Sequence, residues 1–108
     1  MAKKRILKKV KKEISNYLDV LKQDRLPIRE VWLFGSYAKG NPHEWSDIDL
    51  CIVSPKFKDP FRAMQYLWLK RIKDNGLTIE PVGYSQKDFA EGSSLISEIK
   101  QHGIKIKI

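Results

Sequence analysis

The spacing of apolar residues switches between helical and strand periodicity several times along the chain. From about Lys3 to Asp24, apolar residues recur at intervals of three and four, which predicts an amphipathic helix that stops before Pro27. Its apolar stripe consists of Leu7, Val10, Ile14, Tyr17, Leu18 and Leu21. A second helical stripe, between Phe61 and Lys73, is predicted to face the core; its members are Phe61, Met64, Leu67, Trp68 and Ile72.

Shorter apolar runs bounded by Gly, Pro or Ser predict the remaining elements. Four runs read as strands: Ile28–Phe34, Ser46–Val53, Leu77–Val82 and Ile104–Ile108. Pro81 favours an edge position or a strand end for the third of these, because proline cannot donate to a ladder. A short helix is predicted over Ser36–Lys39, and a last one begins after the N-cap Ser85 and ends at Gly103. This alternation predicts an α/β fold in which helices cover a small sheet.

Length, charge and cysteine content narrow the possibilities. A chain of 108 residues predicts a single domain over residues 1–108, with neither a membrane span nor a signal peptide, and therefore a cytoplasmic protein. Residues 1–12 carry seven of the basic residues and no acidic one, which leaves fourteen basic and thirteen acidic residues in the rest of the chain. The net charge of +8 therefore comes from one segment. The one cysteine, Cys51, is predicted to be a buried apolar residue.

The strongest candidate chemistry lies in the second predicted strand. Alternation places Asp47 and Asp49 on one face and Ile48 and Leu50 on the other. Adjacent like charges repel each other, and a divalent cation such as Mg²⁺ removes that repulsion because it binds carboxylates and substrate phosphates together. On its own, the pair could equally be a solvated strand start.

Two neighbouring features favour the metal interpretation. Gly35 and Ser36 stand where the first strand turns into a helix, a place where free backbone N–H groups can bind phosphate. Glu80, within an apolar strand, is the best candidate for a third carboxylate, although an edge-strand Glu facing water is the simpler alternative. A calcium loop is excluded, because the residues after Asp49 supply no further oxygen ligands at the required spacing.

Gly35-Ser36, ten intervening residues and then Asp47-Ile48-Asp49 together resemble the signature of the nucleotidyltransferase superfamily that includes DNA polymerase beta. The compact form, with Glu80 on a late strand, is similar to the minimal nucleotidyltransferases of bacteria and archaea, over about residues 28–108. The resemblance implies a mixed sheet of about four strands flanked by helices. It also implies transfer of a nucleoside monophosphate from a nucleoside triphosphate, with ATP as the expected substrate, to an acceptor hydroxyl with two Mg²⁺ ions. Many minimal members are antitoxins that neutralise a helical toxin of the HEPN class.

By the same resemblance, Gly35, Ser36 and Lys39 would bind the nucleotide, while Asp47, Asp49 and Glu80 would be the catalytic and metal-binding residues. The sequence departs from the family in the short helix after Gly-Ser, where members often carry arginines and this chain has Tyr37 and Lys39. Lys39 still offers a charge to phosphate, but not the bidentate fork of arginine. Tyr37 is predicted to pack rather than stack on a base.

Three functions are compatible with these observations. The first is an enzyme that adenylylates a protein partner, a HEPN-type toxin, and so acts as its antitoxin. The second is an antitoxin that binds its toxin without catalysis. The third, favoured least, is a nucleic-acid-binding protein that uses the basic first helix, because the sequence contains no recognisable base-reading motif and its three tryptophans lie outside the basic cluster.

Overall fold

The computed structural model describes residues 6–42, 47–71 and 77–108. Five helices and four strands are described. The helices are α1 (Lys8–Gln23), α2 (Ser36–Lys39), α3 (Pro60–Leu69), α4 (Gln86–Glu91) and α5 (Ser94–His102). The strands are β1 (Glu30–Phe34), β2 (Ile48–Val53), β3 (Ile79–Tyr84) and β4 (Ile104–Ile106). No helix of the described residues is both long enough and apolar enough to cross a membrane.

The four strands form one mixed sheet in the order β3-β2-β1-β4. β1 pairs antiparallel with both β2 and β4, whereas β2 and β3 run parallel. The parallel pair requires a crossover, which α3 supplies. β3 is an edge strand, so the position predicted from Pro81 is confirmed. The predicted fold, a mixed sheet flanked by helices, is likewise confirmed.

Each face of the sheet carries its own hydrophobic cluster. One cluster packs α1, α2 and part of α3 against inward-facing strand residues such as Leu33, Leu50 and Ile52. The other packs α4 and α5 against Cys51, Val53 and their neighbours. Alternation along β2 therefore sends successive side chains into two different interiors, as the sequence predicts.

The structure corrects the prediction of one continuous helix after Ser85. The segment forms two helices, α4 and α5, because Gly92 adopts a φ of +88° that no helix contains. A second N-cap follows at once, where the Ser93 hydroxyl accepts a hydrogen bond from the Ile96 N–H at 3.1 Å. Ser85 therefore caps the start of α4, and Ser93 caps the start of α5.

A second correction concerns the helical stripe that the sequence assigns to the core. In α3 only Ala63 and Leu67 are buried, and Phe61, Met64 and Trp68 are exposed. Helical periodicity identifies one apolar face, but it cannot tell whether the protein's own core covers that face. Ile72, the last member of the stripe, lies outside the described residues. At the other end of the chain, Leu7 precedes α1 and is also exposed.

A buried hydrogen bond connects α1 to α3, and its loss is expected to cost stability. The Tyr17 hydroxyl donates to the main-chain carbonyl of Leu67 at 2.6 Å. Tyr17→Phe should lower the free energy of unfolding by about 1 kcal/mol, measured by urea denaturation. Tyr84→Phe is the matched control, since the structure gives the half-buried Tyr84 hydroxyl no hydrogen bond to a described residue; it should change stability by less than about 0.5 kcal/mol. Equal losses in the two variants would contradict this role for the Tyr17 hydroxyl.

Candidate active site

Two parallel strands bring the sequence-predicted carboxylates together at one edge of the sheet. Asp49 of β2 is the register partner of Glu80 of β3. Asp47, one residue before β2, is half-buried like Asp49 and lies on the same face by alternation, while Ile48 between them is fully buried on the other face. The Glu80 side chain makes hydrogen-bonding contact with both aspartates. Glu80 does lie on an edge strand and is partly exposed, as the alternative of a water-facing Glu predicts, but its side chain also interacts with both aspartates.

Two carboxyl groups of this cluster, those of Glu80 and Asp49, hold their protons more tightly than ordinary carboxyls. The hydrogen bond to Asp47, burial, and the negative charges of both aspartates raise the pKa of Glu80. Burial, together with the charge of Asp47, raises the pKa of Asp49, even though a hydrogen bond from Glu80 acts in the opposite direction. Such shifts are expected where like charges share a site and no cation compensates them.

The donor chemistry of this cluster fits a hard divalent cation. Carboxylate oxygens are the ligands that Mg²⁺ takes, and Asp47, Asp49 and Glu80 supply them from adjacent backbone positions. Within residues 6–42, 47–71 and 77–108, no three acidic, His or Cys side chains have the spacing of a formed metal site. The Glu80 side chain instead lies against both aspartates, whose charges raise its pKa. A bound cation would relieve the same repulsion that a proton on Glu80 relieves, and side-chain rotation would open the carboxyls toward it.

Gly35 and Asp49 are in direct contact, a pairing that the sequence spacing alone does not reveal. Gly35 ends β1 and adopts a φ of +77°, and a Cβ added there would overlap the Asp49 carboxylate, lying 2.9 Å from its Cγ. The absence of a side chain at position 35 is therefore what allows the Asp49 carboxylate to lie over the turn. Glycine is therefore required at position 35 for two reasons: its backbone has a positive φ, and the Asp49 carboxylate occupies the space that a side chain would need.

The short helix α2 follows this turn and presents the other predicted nucleotide-binding residues. Ser36 begins α2, and no side chain of the described residues caps its N-terminus, which is consistent with backbone N–H groups facing a ligand. Tyr37 is buried in the core, so the prediction that it packs is confirmed. Lys39 forms an ion pair with Glu98 of α5, with 2.9 Å between Nζ and Oε1.

Glu98 was not singled out in the sequence, because nothing in the spacing of α5 indicates that it would meet Lys39. Hydrogen bonding and charge from Lys39 lower the pKa of Glu98.

Cys51 is fully buried as predicted, and burial raises the pKa of its thiol to about 12, which excludes it as a nucleophile near neutral pH. A cleft of about 550 Å³, lined by residues that include Asp24, Lys56 and Tyr66, contains none of the three carboxylates.

Comparison with known proteins places the chain in a family. The family model for the nucleotidyltransferase domain matches residues 5–106. A curated protein of Methanocaldococcus jannaschii, named "Putative protein adenylyltransferase MJ0141", is 31% identical over 104 residues, which cover 94% of this chain and 95% of that protein.

Solved structures share the fold at lower identity. A crystal structure described as a putative nucleotidyltransferase from Sulfolobus solfataricus superposes with a TM-score of 0.58 and 23% identity, covering 90% of this chain and 76% of that one. A toxin–antitoxin structure with AMP-PNP gives a TM-score of 0.54 and 20% identity, covering 84% of this chain and 69% of that one. A crystal structure of a mutant of the toxin–antitoxin MntA-HpeT superposes with a TM-score of 0.56 and 18% identity, covering 87% of this chain and 71% of that one. By the family match and the full-length relative, this chain belongs to the nucleotidyltransferase domain family and is a nucleotidyltransferase.

Proposed function

We propose that the protein is an Mg²⁺-dependent adenylyltransferase that transfers AMP from ATP to a hydroxyl group of a partner protein, and that this partner is a HEPN-type toxin which the transfer neutralises. The observation that carries the proposal is the contact between Glu80, Asp47 and Asp49 beside Gly35. The full-length relative named for protein adenylylation supports a protein acceptor. The toxin–antitoxin structures of similar fold, one with AMP-PNP, support ATP and a toxin partner.

The reaction divides between the residues of the site. Gly35 and Ser36 bind the β- and γ-phosphates through main-chain N–H groups and the Ser36 hydroxyl, and Lys39 contributes positive charge. Asp47, Asp49 and Glu80 would hold Mg²⁺, with two ions expected, and the metal would neutralise charge on the α-phosphate and on the departing pyrophosphate. The acceptor oxygen forms a bond to the α-phosphorus as the bond to the β-phosphate bridge breaks. Pyrophosphate leaves, and Glu80 accepts the hydroxyl proton before releasing it to water.

The test is label transfer from α-³²P-ATP to the protein encoded by the adjacent gene. Wild type with Mg²⁺ should label that protein, whereas γ-³²P-ATP should not, because pyrophosphate carries the γ-label away. Asp47→Asn should reduce the rate about 1,000-fold, by removing a charge that binds the metal. Asp19→Asn, which changes an exposed aspartate on α1, is the matched control and should leave the rate unchanged. Equal labelling by Asp47→Asn and wild type would refute the enzyme.

The ion pair between Lys39 and Glu98 gives a prediction for ATP binding. Both side chains are nearly half exposed, and exposed ion pairs are weak, so a triphosphate can displace Glu98 from Lys39. Glu98→Gln should therefore lower the KM for ATP by about two- to fivefold with kcat unchanged, because the competing carboxylate is gone. Lys39→Met should raise the KM about tenfold. A rise in KM in Glu98→Gln would show that Glu98 holds Lys39 in its productive position instead.

The same ion pair favours a second candidate function, toxin binding without catalysis. A lysine occupied by Glu98, in a helix that lacks the arginines common in the family, would bind triphosphate weakly. The double variant Asp47→Asn, Asp49→Asn separates the two functions in cells that express the toxin. Loss of neutralisation supports the enzyme, and full neutralisation supports the binding function.

A further inference from the structure

Helix α3 exposes a row of large apolar side chains, here called the α3 face and defined as Phe61, Met64, Trp68 and Leu69. Their exposed fractions are 61%, 37%, 39% and 85%. Only the opposite side of the helix, with Ala63 and Leu67, is buried in the core. Single exposed apolar residues are common on any protein surface, but four on the ten residues of one helix are a concentration of the kind that marks an interaction surface.

The composition of the α3 face resembles that of the centre of a protein–protein interface. Trp, Phe, Met and Arg are the residue types enriched at interface centres. The Arg71 guanidinium stacks on the Trp68 ring, 3.9 Å from its centroid, so the aromatic surface already carries an arginine. A tryptophan held in this way presents a rigid apolar surface whose ordering costs little further entropy on binding.

The charged residues of α3 and its carboxyl end are basic, and an acidic residue precedes the helix. Residues 60–71 contain Arg62, Lys70 and Arg71, and Asp59 is the N-cap of α3. The Arg62 side chain is 85% exposed, and its distance of 3.9 Å from Asp59 makes that ion pair weak. Lys70 is engaged elsewhere, with Asp24 at 3.5 Å. The two arginines flanking the apolar residues would complement acidic side chains on a partner.

The position of the face connects it to the carboxylate cluster. The Trp68 indole N–H donates to the main-chain carbonyl of Pro81 at 3.3 Å, and Pro81 directly follows Glu80. The carboxyl end of α3 therefore lies at the same end of the sheet as Glu80 and Asp49, although α3 covers the opposite face and the edge strand β3 lies between them. A protein that delivers a hydroxyl to these carboxylates would contact Trp68 by extending around the β3 edge.

We propose that the α3 face is the docking surface for the acceptor protein, a partner with an apolar contact patch bordered by acidic side chains. This inference rests on the proposed function, since it assigns the surface that presents the acceptor to the active site. Docking by α3 gives binding that does not require ATP, because the apolar residues and arginines contact the partner outside the nucleotide site.

The experiment measures two quantities with the adjacent-gene protein as the probe: its Kd by calorimetry without ATP, and the rate of AMP transfer to it. Leu69→Glu should weaken binding about 30-fold, because it places a carboxylate against the partner's apolar patch and acidic border. Arg71→Glu should weaken it by a similar factor. Leu7→Glu, the same change at another exposed leucine, is the control and should leave the Kd unchanged. The KM for ATP and the urea midpoint should stay at wild-type values in every variant.

The outcomes separate the docking proposal from the proposed function. An increased Kd in Leu69→Glu and Arg71→Glu but not in Leu7→Glu supports docking, whether or not AMP is transferred. Unchanged Kd values, with transfer by wild type intact, overturn docking and leave the enzyme standing. No binding of the probe by wild type overturns the docking proposal for this partner. A shift from dimer to monomer in Leu69→Glu, seen by light scattering, overturns it in favour of self-association.

Discussion

Gly35→Ala is expected to reduce nucleotidyl transfer by about 100-fold or more while the protein remains folded. A Cβ at this position would overlap the carboxylate of Asp49, so the aspartate must leave its place over the β1–α2 turn. Displacing a catalytic carboxylate by even about 1 Å costs on the order of 100-fold in rate. The measurement is kcat/KM for AMP transfer, together with the urea midpoint.

Gly92→Ala is the matched control for this prediction. Gly92 has a φ of +88° and a ψ of 168°, in the same glycine-favouring region as Gly35 with its φ of +77° and ψ of −156°, but a Cβ added to Gly92 would have no atom within 4 Å. Both substitutions should lower stability by about 1 to 3 kcal/mol through the strained backbone, and only Gly35→Ala should lose activity. Equal activities in the two variants would show that Asp49 does not depend on the glycine beside it.

Glu80→Gln is expected to stabilise the metal-free protein near neutral pH and to slow AMP transfer about 1,000-fold. The raised pKa of Glu80 means that the folded state binds protons more tightly than the unfolded state. The stability contributed by this group is therefore fully present at pH values below its unfolded-state pKa, and it is lost as pH rises through the higher folded-state pKa. Asp49 acts in the same direction, since its pKa is also raised.

Thermal denaturation of the metal-free protein across pH tests this prediction. As the pH rises from 4 to 7, wild type should lose stability relative to Glu80→Gln, because only wild type has to ionise Glu80 beside the aspartates. Added Mg²⁺ should raise the Tm of wild type more than that of the variant, because the cation compensates the charge of Glu80. Glu91→Gln, on the exposed side of α4, should leave both the pH profile and the Mg²⁺ response unchanged. A variant less stable than wild type at pH 7 would contradict the repulsion between the carboxyl groups.

Alternation along β2 was sufficient to predict that the two aspartates lie on one face of the strand. Asp47 and Asp49 share a face because a strand has a side-chain period of two, and this local rule does not depend on the rest of the fold. The pairing of Glu80 with Asp49 is different, since it depends on β2 and β3 being parallel neighbours in a fixed register. The sequence offered Glu80 only as a candidate, and the family resemblance, rather than periodicity, implied its place beside the aspartates.

The features that the sequence analysis missed have three different causes. Lys39 meets Glu98 across 59 positions of sequence, and no local pattern identifies that ion pair. The exposure of Phe61 and Trp68 was missed because an amphipathic helix looks the same whether its second apolar face meets the core or solvent. The break at Gly92 was visible as a glycine beside two serines, a signal that the continuous helical reading overlooked.

A crystal of the protein grown with Mn²⁺ and a non-cleavable α,β-methylene analogue of ATP would place the metal by anomalous scattering. The proposed site requires metal peaks held by Asp47, Asp49 and Glu80, with the triphosphate over Gly35 and Ser36. A metal bound elsewhere, such as beside Asp24 and Asp59 in the cleft near α3, with the three carboxylates still contacting only one another, would contradict the site.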